Sequence, residues 1–312
     1  MSSRQGPVPS VRRPQSRSGD PLRKAEPPPL FSGDTVSNSL RLVIGEGLEH
    51  LEAHRAGAFA GDPEAIHQAR VALRRLRSAL KLFRRHLNPS ARDGFNDALR
   101  ALGRTLGAAR DWDVFVLETV PAVMAVIPDQ AEALGALVAP AQHERELGHV
   151  AVRALLEAPQ TDAMLQDLGS WSGDRVAFSP RKAARQLIAD EAGPLLDRLA
   201  KSVSKRATGL EEQDDEERHG LRKALKSLRY GIEMLESLHG RGNTKPYRQA
   251  LSVLQEDLGR LNDAIAAVEL VHRLPDQPGR LVIEAWANER RQEALIELPA
   301  AWHQFKAIPA FW

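Results

Sequence analysis

Apolar residues along this chain recur at helical spacing. Leu40, Val43, Ile44, Leu48 and Leu51 follow i, i+3, i+4 steps, with Ser37 or Ser39 placed to cap. A second helix is predicted from Pro63, where Asp62 can cap and proline suits the first position, to Leu87, ending at Asn88-Pro89. Further helices are predicted over 93–120, 128–157, 181–206, 216–238, 245–272 and 281–306, with a short one at 162–171 inside a Gly/Ser/Pro-bearing stretch, 158–179. Residues 1–33 hold mainly Pro, Ser, Arg and Gly and end in Pro27-Pro28-Pro29. They bury too little apolar surface to fold, so a disordered tail is expected.

The second half of the chain repeats the first at a shift of 152 residues. His67, Arg70, Leu73, Arg74, Leu76 and Arg77 meet His219, Arg222, Leu225, Lys226, Leu228 and Arg229. With no gap, Leu99, Leu102, Leu106, Gly107 and Asp111 meet Leu251, Leu254, Leu258, Gly259 and Asp263. Chance periodicity does not hold one register across a loop. The expected architecture is all-α: two four-helix units, 34–177 and 178–312, related by a pseudo-two-fold axis.

Charge sharpens this picture. On a helical wheel Arg70, Arg74, Arg77, Lys81, Arg84 and Arg85 fall within an arc of about 100° beginning near His67, with Leu73, Leu76, Leu80, Phe83 and Leu87 largely opposite. His67–Arg92 contains eight Arg and Lys and no acid. Like charges one turn apart destabilise a helix by a few tenths of a kcal/mol per pair, roughly, and a solvated face usually intersperses Glu. The missing partner is read as a polyanion, since guanidinium forks and ammonium groups bind phosphate oxygens well. His219, Arg222, Lys226 and Arg229 repeat the stripe, flanked by Lys223 and Tyr230, but Glu233 and Glu236 stand where the first copy has Lys81 and Arg84. Each histidine leads its stripe, and a ligand-facing role is preferred over a structural one.

Other chemistry finds little support. The chain of 312 residues has no cysteine, which excludes disulfides and thiolate sites and fits a reducing compartment. Only 5% of residues are aromatic, and Leu and Ala outnumber Val/Ile/Tyr runs, which favours helix over sheet. No signal peptide is read: Arg12-Arg13 is followed by Pro14 rather than an apolar run. The best apolar stretch, Val114–Ile127, is broken by Glu118 and Pro121, so a soluble cytoplasmic protein without a membrane partner is expected. Arg218–Lys223, "RHGLRK", resembles the RHGxRxP signature of histidine acid phosphatases. It lacks the proline, opens a helix instead of following a strand, and has Gln68 in place of Gly220 in the other copy. His50 and His54 have i, i+4 spacing but no third ligand and are read as a solvated face. No enzyme activity, metal or cofactor is expected. The acidic run Glu211–Glu217 suits the N-terminus of the following helix; screening of the cationic surface is the second reading.

Together "IHQARVALRRLRSALKLF" and "RHGLRKALKSLRYGIEML" resemble the two signature helices of the CHAD family, the conserved histidine α-helical domain. "LGAARDWDVF" (Leu106–Phe115) and "LGRLNDAIAAV" resemble its next-helix motif, and Phe311-Trp312 a common ending. The resemblance spans Ser37–Trp312. It implies two four-helix subdomains whose signature helices line a basic central groove, binding of inorganic polyphosphate, and location at polyphosphate granules. Carried over by position, the binding residues are His67, Arg70, Arg74, Arg75 and Arg77, then His219, Arg222, Lys223, Lys226 and Arg229. Lys81 and Arg84 extend the first stripe. Ser227 departs from the pattern, being matched by Arg75, which makes the first copy the stronger half. The expected function is therefore non-enzymatic polyphosphate binding, with granule-associated proteins as further partners. Nucleic-acid backbone binding is the alternative, although the stripe has few aromatics for base stacking. A scaffold recruiting acidic proteins is the third reading.

Overall fold

The computed structural model describes residues 26–312, and among these the chain is helical without strands. Helix α1 (Val36–Ala60) is capped by Thr35, whose Oγ1 accepts from Asn38 N; the expected caps Ser37 and Ser39 lie inside it. It ends at Gly61, held at φ 85°, a conformation glycine adopts without strain. Helix α2 (Pro63–Leu82) opens as expected, with Asp62 accepting from Glu64 N and Ala65 N. It closes five residues earlier than the pattern predicts. Phe83 turns into the core and Leu87 pairs with Phe178 in an isolated bridge, so Arg84 and Arg85 sit on a turn beyond the helix.

Helix α3 (Pro89–Val114) starts on the Asn88-Pro89 pair and runs through a π turn at Phe115–Thr119 into α4 (Val120–Val126). Helices α5 (Ala131–Glu157) and α6 (Pro159–Gly173) follow, then two short 3-10 turns. The second half holds α7 (Ile188–Arg206), α8 (Asp215–His239), α9 (Arg241–Val271) and α10 (Gly279–Lys306). Helices α7, α8 and α9 each begin 152 residues after α1, α2 and α3, the shift found in the sequence.

Contacts between the halves also exchange under that shift. Val36 N donates to Gln186 O at 2.8 Å while Ile188 N donates to Asp34 O at 2.9 Å. Where α2 meets α8, Arg75 Nη1 reaches Glu233 Oε2 at 2.6 Å. The positions equivalent to those two are Ser227 and Lys81, and Lys81 Nζ donates to Ser227 Oγ at 2.9 Å. One large core runs through both halves; a smaller one joins Trp112, Phe115 and Val123 to Val271 and Ile283.

Most of the expected tail, residues 1–25, lies outside the described residues. Within 26–33, Leu30 is buried in the core and its N–H donates to Ser237 Oγ, so ordered chain begins before residue 34. The C-terminal Phe311 and Trp312 stack edge-on against Tyr247. Helix α10 begins hard against α5: a Cβ on Gly279 would collide with the carbonyl oxygen of Ala133 and lie 2.9 Å from Leu137. The variant Gly279→Ala is therefore expected to lose about 2 kcal/mol in denaturant unfolding, because backbone cannot give way as a side chain can.

Candidate functional site

Between α2, α3 and α8 lies a cleft of about 690 Å³. Nine of the expected residues line it: Arg70, Arg74, Arg77, Lys81, Arg84, His219, Arg222, Lys223 and Lys226. Helix periodicity aims them there, since the apolar residues between them, such as Leu73, Leu76, Leu225 and Leu228, are buried in the core behind. Arg84 joins from the turn after α2 instead of from the helix itself.

Three expected residues are not brought to the lining. Arg75 is buried, its guanidinium paired with Glu233 and lying over the Tyr230 ring, which makes it part of the α2–α8 joint. Arg229 spends its charge on the same Glu233 at 2.8 Å. His67 stands at the far end of the stripe, half-buried near Arg70, Arg74 and Arg110. His219 lies in the cleft, and its Nδ1 donates to Asn262 Oδ1 at 3.1 Å.

Neutralisation inside the cleft is sparse. Asp111 holds Arg70 at 2.9 Å, and its repeat equivalent Asp263 stands 3.9 Å from Arg222. Arg74, Arg77, Lys81, Arg84, Lys223 and Lys226 meet no carboxylate within ion-pair distance among the described residues. The consequence appears in the protonation equilibria. Burial, followed by Arg74, Arg222 and Arg70, pulls the Lys226 ammonium down to about 6. Burial and neighbouring cations also lower Lys81, His67 and His219. Burial lifts the Asp263 carboxyl against the opposing pull of Arg222. Burial first, and the neighbouring cations second, thus disfavour the charged forms of these lysines and of His219.

The family model for the CHAD domain matches residues 42–272. The chain belongs to the CHAD domain family. Its structure is similar to the crystal structure of the CHAD domain from the plant Ricinus communis, with TM-score 0.75 and 29% identity over 92% of this chain and 97% of that one. It shares its fold with PptA from Streptomyces chartreusis, at TM-score 0.64 and 14% identity over 88% and 98% of the two chains. No curated protein matches it.

This CHAD chain adds residues to the cleft that the stripes alone do not reveal. Helix α3 contributes Arg92, Asp93 and Asn96, with Asp93 pairing with Arg92 at 2.7 Å, and Arg100 and Arg104 press on Arg77 from the same helix. The stride of four from residue 92 to 104 is a cationic face visible in the sequence. Elsewhere, one reading changes and another holds. His50 and His54 are buried with their rings 5.0 Å apart, because the α1 face that carries them turns inward, so they form no solvated face. The acidic run caps α8: Asp214 accepts from Glu217 N while Glu217 accepts from Asp214 N, and Asp215 pairs with Arg291 at 2.9 Å.

An anion entering this cleft reverses the field on Lys226, so its ammonium regains a proton. Binding therefore takes up protons above about pH 6, and affinity falls as pH rises through that window. Folding has the opposite pH slope from the same depressed ammonium. Folded Lys226 sits below its ordinary 10.5, the unfolded chain holds more protons between about 6 and 10.5, and stability rises with pH there. Calorimetric titration in buffers of different ionisation enthalpy measures the uptake, and Lys226→Met should reduce it.

Proposed function

We propose that this protein binds inorganic polyphosphate in the cleft between α2 and α8 and acts by binding, without turnover. The observation that carries the reading is the set of six basic side chains that meet no carboxylate within ion-pair distance among the described residues, packed into one cleft about 690 Å³ in size. A flexible chain of phosphates supplies closely spaced oxygens to satisfy several of them at once, through charge-assisted hydrogen bonds stronger than neutral ones. Family membership supports the same ligand, since the CHAD resemblance implies polyphosphate.

The contacts that exchange under the 152-residue shift support a local two-fold axis between units 34–177 and 178–312. That axis brings Arg74 opposite its own repeat equivalent, Lys226. The second unit is the weaker half, because it presents His219, Arg222, Lys223 and Lys226 to the ligand where the first stripe presents Arg70, Arg74, Arg77, Lys81 and Arg84. A cytoplasmic site of action at polyphosphate granules, with granule proteins as neighbours, completes the reading. Titration with polyphosphate, repeated in the presence of DNA or RNA at equal phosphate concentration, tests it. Retained binding with an unchanged chain length supports binding without turnover; displacement by nucleic acid would move the function to the nucleic-acid alternative.

A further inference from the structure

We propose that the phosphate chain does not end in the cleft but continues over the C-terminal end of α2 onto α7, held there by Arg84, Arg198 and Arg206. This rests on the polyphosphate reading and extends the site beyond the two signature helices.

A helix C-terminus presents unpaired carbonyls and the negative end of the helix dipole, which repels phosphate. Here that end is covered by guanidinium. Arg198, reaching over from α7, donates to Leu82 O, and Arg92 Nη1 donates to Arg84 O at 2.9 Å. The end of α2 therefore shows positive charge to a passing polyanion. Arg84, already in the cleft lining, and the adjacent Arg85 press on Arg198 across the gap.

Arg206 closes the path. Its Nη1 lies 2.7 Å from the point a Cβ on Gly220 would occupy, so glycine there lets the guanidinium rest against α8 beside His219. This gives a role to the glycine of "RHGLRK", which the first copy replaces by Gln68. Among the cations acting on Lys81, which lines the cleft, Arg206 is the strongest. It is exposed and has no carboxylate partner among the described residues. The first unit offers no counterpart: at the positions equivalent to Arg198, Lys201 and Arg206, α1 carries Glu46, Glu49 and the buried His54. The chain leaves on the α7 side alone.

Titration at fixed salt with tripolyphosphate and with a long polyphosphate, using the intact protein, Arg206→Gln and Arg206→Glu, tests the extension. The parent should favour the long chain, and Arg206→Gln should shrink that long-to-short affinity ratio about 5-fold, the worth of one charge-assisted contact. The charge reversal should shrink it further. Arg84→Gln gives a second reading of the same ratio should either Arg206 variant lose its helical circular dichroism. A ratio unchanged in the folded variants, or no long-chain preference in a parent that binds both ligands, overturns the extension and leaves the cleft intact. A parent that binds neither ligand removes the polyphosphate reading, and the extension with it.

Discussion

Replacing Arg74 and Lys226 together by glutamine is expected to weaken polyphosphate binding about 100-fold while leaving the fold at least as stable as the parent. A hydrogen bond to a charged group contributes about 1.5–3 kcal/mol, roughly tenfold or more for each residue removed. The two side chains are repeat equivalents pressed together: Arg74 is the foremost cation lowering the Lys226 ammonium. Neither meets a carboxylate among the described residues, so neither leaves a buried anion behind when it goes. Their removal subtracts repulsion from the empty protein and attraction from the complex. Arg70 differs, because Asp111 would lose its partner and the variant would mix stability with affinity. Titration read beside denaturant unfolding separates these effects. A double variant that binds within a few-fold of the parent would show the ligand lying elsewhere. The parent's affinity should also fall steeply with added salt, since much of the attraction is electrostatic and partly screened.

The stripes and their register were legible because helical spacing and charge coincide twice at one shift, and a core behind each helix has to follow the same spacing. The helix start at Asp62-Pro63 was read well, whereas Asn88-Pro89 was read only as a stop and α3 was expected from 93 instead of Pro89. Ends were read less well. Nothing local stops α2 at Leu82; Phe83 is buried in the core and Leu87 bridges to Phe178 of the second half, a tertiary choice that periodicity does not carry. The inward turn of His50 and His54 has the same origin. Pattern places a residue on a face, but the neighbour that covers that face comes from distant chain.

The candidate site divides along the same line. Residues whose side chains need only point away from their own helix's core, such as Arg74, Arg77 and Lys226, line one cleft. Residues whose role depends on the other unit could not be read this way. Arg206 could not be read as a cleft neighbour, because its position depends on α7 docking over Gly220. The Glu233 carboxylate, read only as an interruption of the second stripe, is the group that claims one expected cation from each copy, Arg75 and Arg229.

Breaking that claim should have the largest effect on stability. Arg75 and Glu233 are 8% and 12% exposed and lie 2.6 Å apart. Removing one partner of a pair this buried leaves an uncompensated charge and costs about 3–5 kcal/mol. Glu233→Gln is expected at the lower end, because the amide oxygen can still accept from Arg75. Arg229, half exposed, can turn to water when Glu233 is lost, so its share is small. The double variant Arg75→Met with Glu233→Leu should recover most of the loss, since a buried ion pair replaced by apolar residues of similar volume is often neutral or stabilising. The same variant separates two roles for Arg75. The family resemblance places Arg75 among the phosphate contacts, whereas its geometry makes it a strut between α2 and α8. If it is a strut, the restabilised double variant binds polyphosphate as the parent does. If it is a contact, affinity falls about tenfold although stability has returned.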